Sequence, residues 1–217
     1  VRQQEVAYLG RMTAGLTHEM KNVLATIKES AGLMSDLLPI HVDKPEVLKE
    51  RFERILPSIL EQVRRGVEIS NRMSRLAHSM DHSPADVDVH DLLDEVVFLM
   101  SRFARLKQVV LTLFPEAARW SVSTDPLRLQ LVMAAAVDHC LEGAQAGQRI
   151  AIVPASGQSR VLFQVLDADQ GSPATEYRVG ARPEGLSGLA EVLEELGADV
   201  GVLEFGGAVG LAVQLPK

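Results

Sequence analysis

The sequence predicts an α+β protein: a long N-terminal helical hairpin that pairs into a dimeric four-helix bundle, followed by a small α/β sandwich. Three observations carry this. Apolar residues recur in steps of three and four over residues 6–37 and again over 48–80, the mark of two long amphipathic helices. Beyond residue 84, short apolar or alternating runs are interleaved with helical stretches. With 217 residues, 47% of them hydrophobic, the chain can bury one large core or two small ones.

The first seam reads Val6, Leu9, Thr13, Leu16, Met20, Val23, Ile27, Ser30, Met34, Leu37, a heptad pattern without a slip. Pro39 breaks it, and Asp43-Lys44-Pro45 opens a second helix. Its seam reads Leu48, Phe52, Ile55, Ile59, Gln62, Gly66, Ile69, Met73, Leu76, Met80. Gln62 and Gly66 weaken it, and Val63 and Val67 are expected to share the burial there. Pro57 lies inside, so a kink or local break is expected. Helices of about 35 residues span roughly 50 Å. A lone hairpin of that length has too little partner surface, so a homodimer is the economical solution. A hairpin packed on its own C-terminal half is the alternative.

A linker at His82-Ser83-Pro84 separates residues 1–83 from 84–217. Val87 and Val89 alternate with aspartates as a short strand. Residues 90–104 have helical periodicity, and 108–114 read as a strand. Thr124 or Asp125 caps a helix with Pro126 at its first position, running to Ala144. Residues 149–154 and 161–166 form a hairpin around Ser156-Gly157. Residues 186–196 form a helix ended by Gly197. Residues 200–205 and 208–215 form a last hairpin turning at Gly206-Gly207. The mixture predicts helices on one face of a mixed sheet.

Charge excludes some functions. Residues 1–83 carry a net +1 and residues 84–217 a net −8; neither is a nucleic-acid footprint. Aromatic residues are only 4%, which disfavours base-stacking platforms. One cysteine, Cys140, cannot form an internal disulfide, in keeping with a reducing compartment. No apolar run approaches the ~20 residues that cross a bilayer, and the opening VRQQEVAYLGRM is not a signal peptide. The expectation is a cytoplasmic segment without membrane contact. A start on Val rather than Met suggests a preceding sensor or membrane segment.

His18 is the candidate for chemistry. With Thr13 and Met20 at a positions it falls at f, pointing into water, with Glu19 at g and Asn22 four residues on. An exposed neutral imidazole is a competent nucleophile near pH 7, and a neighbouring carboxylate can orient it or take its proton. By spacing alone, a polar triplet on a wet face is an ordinary solvated surface. A zinc protease helix is excluded, because Asn22 stands where His-Glu-x-x-His needs its second His. His78 and His82 also lie four apart, but with no evident third ligand they read as surface residues.

The stretch LGRMTAGLTHEMKNVLATI resembles the phosphoacceptor box of bacterial sensor histidine kinases, with Val23 where that family commonly has Pro. The resemblance spans nearly the whole chain, hairpin first and ATPase-like domain second. It implies that His18 is the phosphoacceptor, that Glu19 assists proton handling, and that Asn22 positions the phosphoryl group or an attacking water. The implied partner is a response-regulator receiver domain, which supplies Mg²⁺ when its aspartate exchanges phosphate with the histidine.

The nucleotide half departs from the family. DPLRL, at residues 125–129, matches the lead-in to the Asn-rich helix, but the two usual Asn positions are Ala135 and His139. Neither suits a hard cation. In VLDADQGSP, Asp167 matches the adenine-binding Asp and Gly171 the second glycine, both read as vestigial, while Asp169 replaces the first glycine with bulk and charge. Residues 174–187 are too short for a full lid and hold no phenylalanine. Residues 183–189 faintly echo the Gly-rich segment, with Ser187 at one glycine position. A triphosphate needs backbone N–H groups, metal and cationic help. The expectation is therefore a phosphorelay protein that exchanges phosphate between His18 and receiver aspartates, with no resident cofactor or metal and ATP disfavoured. The alternatives are a divergent but active ATP-dependent kinase and a non-catalytic pseudokinase scaffold.

Overall fold

In the computed structural model, the described residues are 2–79, 84–115, 119–167, 169, 172–174, 176–205 and 208–216. Met80, the His82-Ser83 part of the expected linker, Gly171 and the Gly206-Gly207 turn lie outside them. Contacts divide the chain into two units: Gly10–His78, and Ser79–Lys217 together with Val1–Leu9. Against the division expected at residue 83, the opening turns of the first helix group with the α/β unit.

Unit Gly10–His78 is a hairpin of two helices, α1 (Arg2–Ile40, its first two turns in the other unit) and α2 (Pro45–His78). From Leu16 onward the first seam is as expected: Leu16, Val23 and Leu37 are buried, and Met20, Ile27, Ser30 and Met34 half-buried. Before that it shifts. Tyr8 and Met12 are buried while Val6 is 63% exposed and Thr13 is exposed. For Val6 and Tyr8 the physical reason is that residues 2–9 pack in a different unit, with its own inward direction; Met12 and Thr13 lie within the hairpin unit.

The α2 seam stays on its strict heptad through Gln62 and Gly66, both half-buried, to buried Ile69 and Leu76. Val63 and Val67 do not share that burial; they are 46% and 56% exposed. Gly66 explains the difference, because a Cβ there would lie 3.3 Å from the Val23 Cγ1 methyl. The missing side chain leaves room for α1, so the seam needs no substitute. Pro57 does not break α2. It sits on the exposed side, where the carbonyl of Glu53, also exposed, can bond to water in place of the missing N–H.

Among its described residues the other unit holds two sheets and three further α-helices. β1 (Ala85–Asp88) pairs antiparallel with β3 (Ser121–Thr124), the latter a strand the sequence did not signal. Asp88 caps α3 (Val89–Leu106) by accepting from the Asp91 N–H at 3.0 Å. Asp125 caps α4 (Pro126–Gly143) at 3.1 Å, with Pro126 opening the helix. The main sheet adds β2 (Val110–Leu113), β4 (Arg149–Ala155), β5 (Arg160–Leu166), the short β6 (Arg178–Val179), β7 (Asp199–Phe205) and β8 (Ala208–Gln214). Its order is β2-β4-β5-β8-β7-β6, with only β2 and β4 parallel. The expected helix at 186–196 is in two parts, a 3-10 segment Glu184–Leu189 and α5 (Ala190–Leu196). Gly197 ends α5 at φ +63°, a left-handed cap that glycine accepts without strain.

Strand alternation sorts the core onto two faces. Ile150, Ile152, Phe163, Leu211 and Val213 share one parity with the helix-covered side, all essentially inaccessible. Ala151, Leu162, Leu166, Leu203 and Ala212 form a second cluster, covered by Phe114, Val153, Ala174 and Tyr177. Gln164, also fully buried, fastens that cover. Its amide donates to the Ala174 carbonyl at 2.9 Å and accepts from the Ala174 N–H at 2.7 Å.

Gly210 permits the β5–β8 contact, since a Cβ there would meet the Phe163 carbonyl oxygen at 2.0 Å. Gly210→Ala should therefore lower stability in urea unfolding by at least ~2 kcal/mol. Gly157→Ala, with nothing within 4 Å of the added methyl, should stay within about 0.5 kcal/mol of the parent.

Candidate functional site

Two places hold the residues singled out from the sequence, one in each unit. In the hairpin, His18 is exposed, as its heptad position requires. Leu16 and Met20 flank it on the inward side, and a side chain two residues from each points some 160° away from them. Asn22, one turn on, is exposed on the same face, with its side-chain nitrogen 3.3 Å from His18 Nδ1. Rotating that amide presents its oxygen to an Nδ1–H instead, which leaves the Nε2 lone pair directed at solvent. Asn22 is held in turn by the helix, where its carbonyl accepts from Thr26 Oγ1 at 3.1 Å.

Glu19 has a different environment. Its side chain is 17% exposed, and its carboxylate pairs with Arg65 of α2. The carboxylate beside His18 thus reaches across the hairpin to the turn of α2 that contains Gly66. Arg65 was not legible as a site residue. Its signal, a cation next to the seam glycine, becomes meaningful only once the register of α1 against α2 is known.

In the α/β unit, α4 places Ala135 and His139 one turn apart, both half-buried. Ala135 offers no oxygen donor. His139 faces the 3-10 segment, where a Cβ on Gly185 would lie 3.2 Å from its Nδ1. The imidazole therefore occupies the space beside the segment that faintly echoes the Gly-rich motif. A cavity of about 270 Å³ opens alongside, lined by His139, Cys140, Gly143, Gln145, Gln148, Val165 and Gly210.

Asp167 is exposed at the end of β5 and accepts a hydrogen bond from Gln148 Nε2 at 2.9 Å. The other end of the Gln148 amide accepts from the Gln145 N–H at 2.8 Å. Gln148 thus stands fixed between its own turn and the carboxylate that the family resemblance assigns to adenine. Nothing in its local sequence marks it; the β4–β5 pairing brings it there. Asp169 is exposed nearby in sequence, and Gly171 is outside the described residues. Cys140 is buried, and desolvation pushes its thiol up to about 12, so it is an unreactive cavity wall. Among the described residues no cluster of His, Cys, Asp and Glu has the makings of a metal site, and no helix is long and apolar enough to cross a membrane.

No family model matches the chain. Sensor histidine kinase ZraS of Klebsiella oxytoca is 24% identical over 187 residues, covering 82% of this chain and 37% of the relative. The same-named kinase of Salmonella typhimurium strain LT2 is 22% identical over 227 residues, covering 96% and 46%. The chain thus spans less than half the length of these curated relatives. Among solved structures, a histidine kinase from Burkholderia phymatum STM815 superposes with a TM-score of 0.48 at 16% identity, covering 92% of this chain and 95% of that one. The chain, which has a helical hairpin presenting His18 and Asn22 and a separate α/β unit, is thus similar in sequence to sensor histidine kinases.

Proposed function

We propose that the protein carries a phosphoryl group on His18 and exchanges it with aspartates of response-regulator receiver domains, without drawing it from ATP. The observation that carries this is the contrast between the two sites: an exposed His18–Asn22 pair in the hairpin, and in the α/β unit Ala135 and His139 at the positions where the resemblance calls for oxygen donors. In the exchange, Nε2 of His18 attacks the phosphorus of a receiver aspartyl phosphate. The N–P bond forms as the acyl P–O bond breaks, and the aspartate leaves as carboxylate. The proton on Nδ1 stays on the ring, held by the Asn22 oxygen, so the imidazolium-like charge that develops has a partner. Glu19 contributes through Arg65, anchoring the turn of α1 that bears His18. Mg²⁺ comes with the receiver.

The residues present do not suit a Mg²⁺–triphosphate. Ala135 and His139 replace oxygen donors, Asp169 adds negative charge, and Gln148 already engages Asp167. No step is therefore routed through ATP. The homodimer expected from the seams has support in a second apolar stripe on α2: Leu56, Leu60, Val63 and Val67, each 43–56% exposed. Their spacing of four, three and four repeats along one helix face, and a paired copy would bury it.

Mixing the protein with a ³²P-labelled receiver should move label onto it in an acid-labile, base-stable form, and His18→Gln should abolish this. Failure with every cognate receiver rejects the proposal. Incubation with Mg²⁺-ATP should leave His18 unlabelled, and calorimetry should detect no micromolar binding; labelling from ATP would establish the divergent kinase instead. Asn22→Ala should slow transfer by roughly 10- to 100-fold with the fold unchanged by circular dichroism. Sedimentation equilibrium should give a dimer, and Leu60→Asp with Val67→Asp should shift it to monomer, a charged residue at an apolar interface being strongly unfavourable.

A further inference from the structure

The opening turns of α1 belong to the α/β unit, and the way they are fastened there is specific. Arg128, on the first turns of α4, donates from Nε to the Glu5 carboxylate at 2.8 Å and from Nη1 to Glu195 of α5 at 2.5 Å. Asp125, the cap of α4, lies 3.5 Å away. One guanidinium thus ties α1, α4 and α5 together. Glu5 is 18% and Arg128 31% exposed, so this network is better shielded than a surface pair. The hydrogen bond that Arg128 donates to Glu5 is the largest influence raising the Arg128 pKa above its ordinary value. One residue before Glu5, the Gln4 amide donates to the Gly188 carbonyl, and three residues after it Tyr8 is buried.

Gly188 lies in the 3-10 segment Glu184–Leu189, whose Gly185 abuts the His139 imidazole. His139 is in turn a wall of the 270 Å³ cavity. Contacts therefore run from Gln4 through the 3-10 segment to His139 and the cavity, while the neighbouring Glu5 is held by Arg128 of α4. A segment held by a few polar contacts at its edge is the kind that opens locally before the core does.

We propose that residues 2–9 of α1 are a strap, latched by Arg128, that holds the 3-10 segment 184–189 against His139, so that displacement of the strap opens the cavity beside Cys140. The device is mechanical and belongs to the α/β unit. It does not depend on His18 carrying phosphate.

Cys140, the sole cysteine, lines the cavity and reports on it. In the full-length chain, Glu5→Arg places a cation against Arg128 while leaving every residue of α4, α5 and the sheet unchanged. It should increase deuterium exchange at amides 185–189 and alkylation of Cys140 by iodoacetamide at pH 8, each by roughly tenfold. The exchange of β4, β5 and β8 and the urea midpoint of the α/β unit should not change. Gln4→Ala should give a smaller increase in the same peptides, and Glu5→Gln, which keeps the hydrogen bond, an intermediate one. NaCl at about 1 M should mimic the effect in the parent protein by screening the network. Unchanged exchange at 185–189 and unchanged alkylation in Glu5→Arg would overturn the strap. So would a rise spread evenly over the sheet, which would mean general loosening. Phosphoryl transfer to His18 enters neither readout, so failure of the strap and failure of the phosphorelay reading are separate results.

Discussion

The contact on which the hairpin depends is the approach of Val23 to Gly66. The glycine leaves a gap in α2, the valine methyl enters it, and Met20 lies beside it with its sulfur 3.9 Å from the same point. Because an α-helix turns by a constant angle per residue, seating Val23 and Met20 fixes the direction of every side chain nearby. His18 and Asn22 are thereby turned to solvent and toward each other. Rotation of α1 by one residue would bring one of them toward the seam, where burying an unsatisfied polar group is costly. Val23 stands where the resembling box commonly has Pro, so one point of departure from that box also sets the register.

Glutamine is the recurring polar tie in the α/β unit. Gln164 behaves like a strand, giving and taking one hydrogen bond at Ala174 and closing the second face of the sheet. Gln148 links the turn after α4 to Asp167. Gln214 donates to the carbonyls of Gln158 and Ser159 around the β4–β5 connection. An amide carries donor and acceptor together, so it can satisfy two buried or half-buried backbone groups without importing a charge. Where the family resemblance places a nucleobase, the chain supplies its own hydrogen-bond partner to the carboxylate.

The grouping of residues 2–9 with the α/β unit changes how the first helix is understood. Periodicity treats residues 6–37 as one seam, but its opening turns and its remainder answer to different cores. The slip between Val6 and Tyr8 records that change of partner.

By itself the sequence determined the features whose causes are local. The heptad steps, a cap at Thr124 or Asp125, Pro126 at a helix start, the Gly197 stop and the outward phase of His18 all rest on residues within about one helical turn of each other. Strands β3 and β6 are not legible in the sequence because four and two residues carry no periodicity to read, and 186–189 reads as α-helical because a 3-10 turn uses similar apolar spacing. Tertiary structure alone decided which side chains meet: Glu19 with Arg65, Gln148 with Asp167, His139 with Gly185, Glu5 with Arg128. Such pairs join residues far apart in the chain, and their choice follows from how helices and strands settle against one another, which no local pattern encodes.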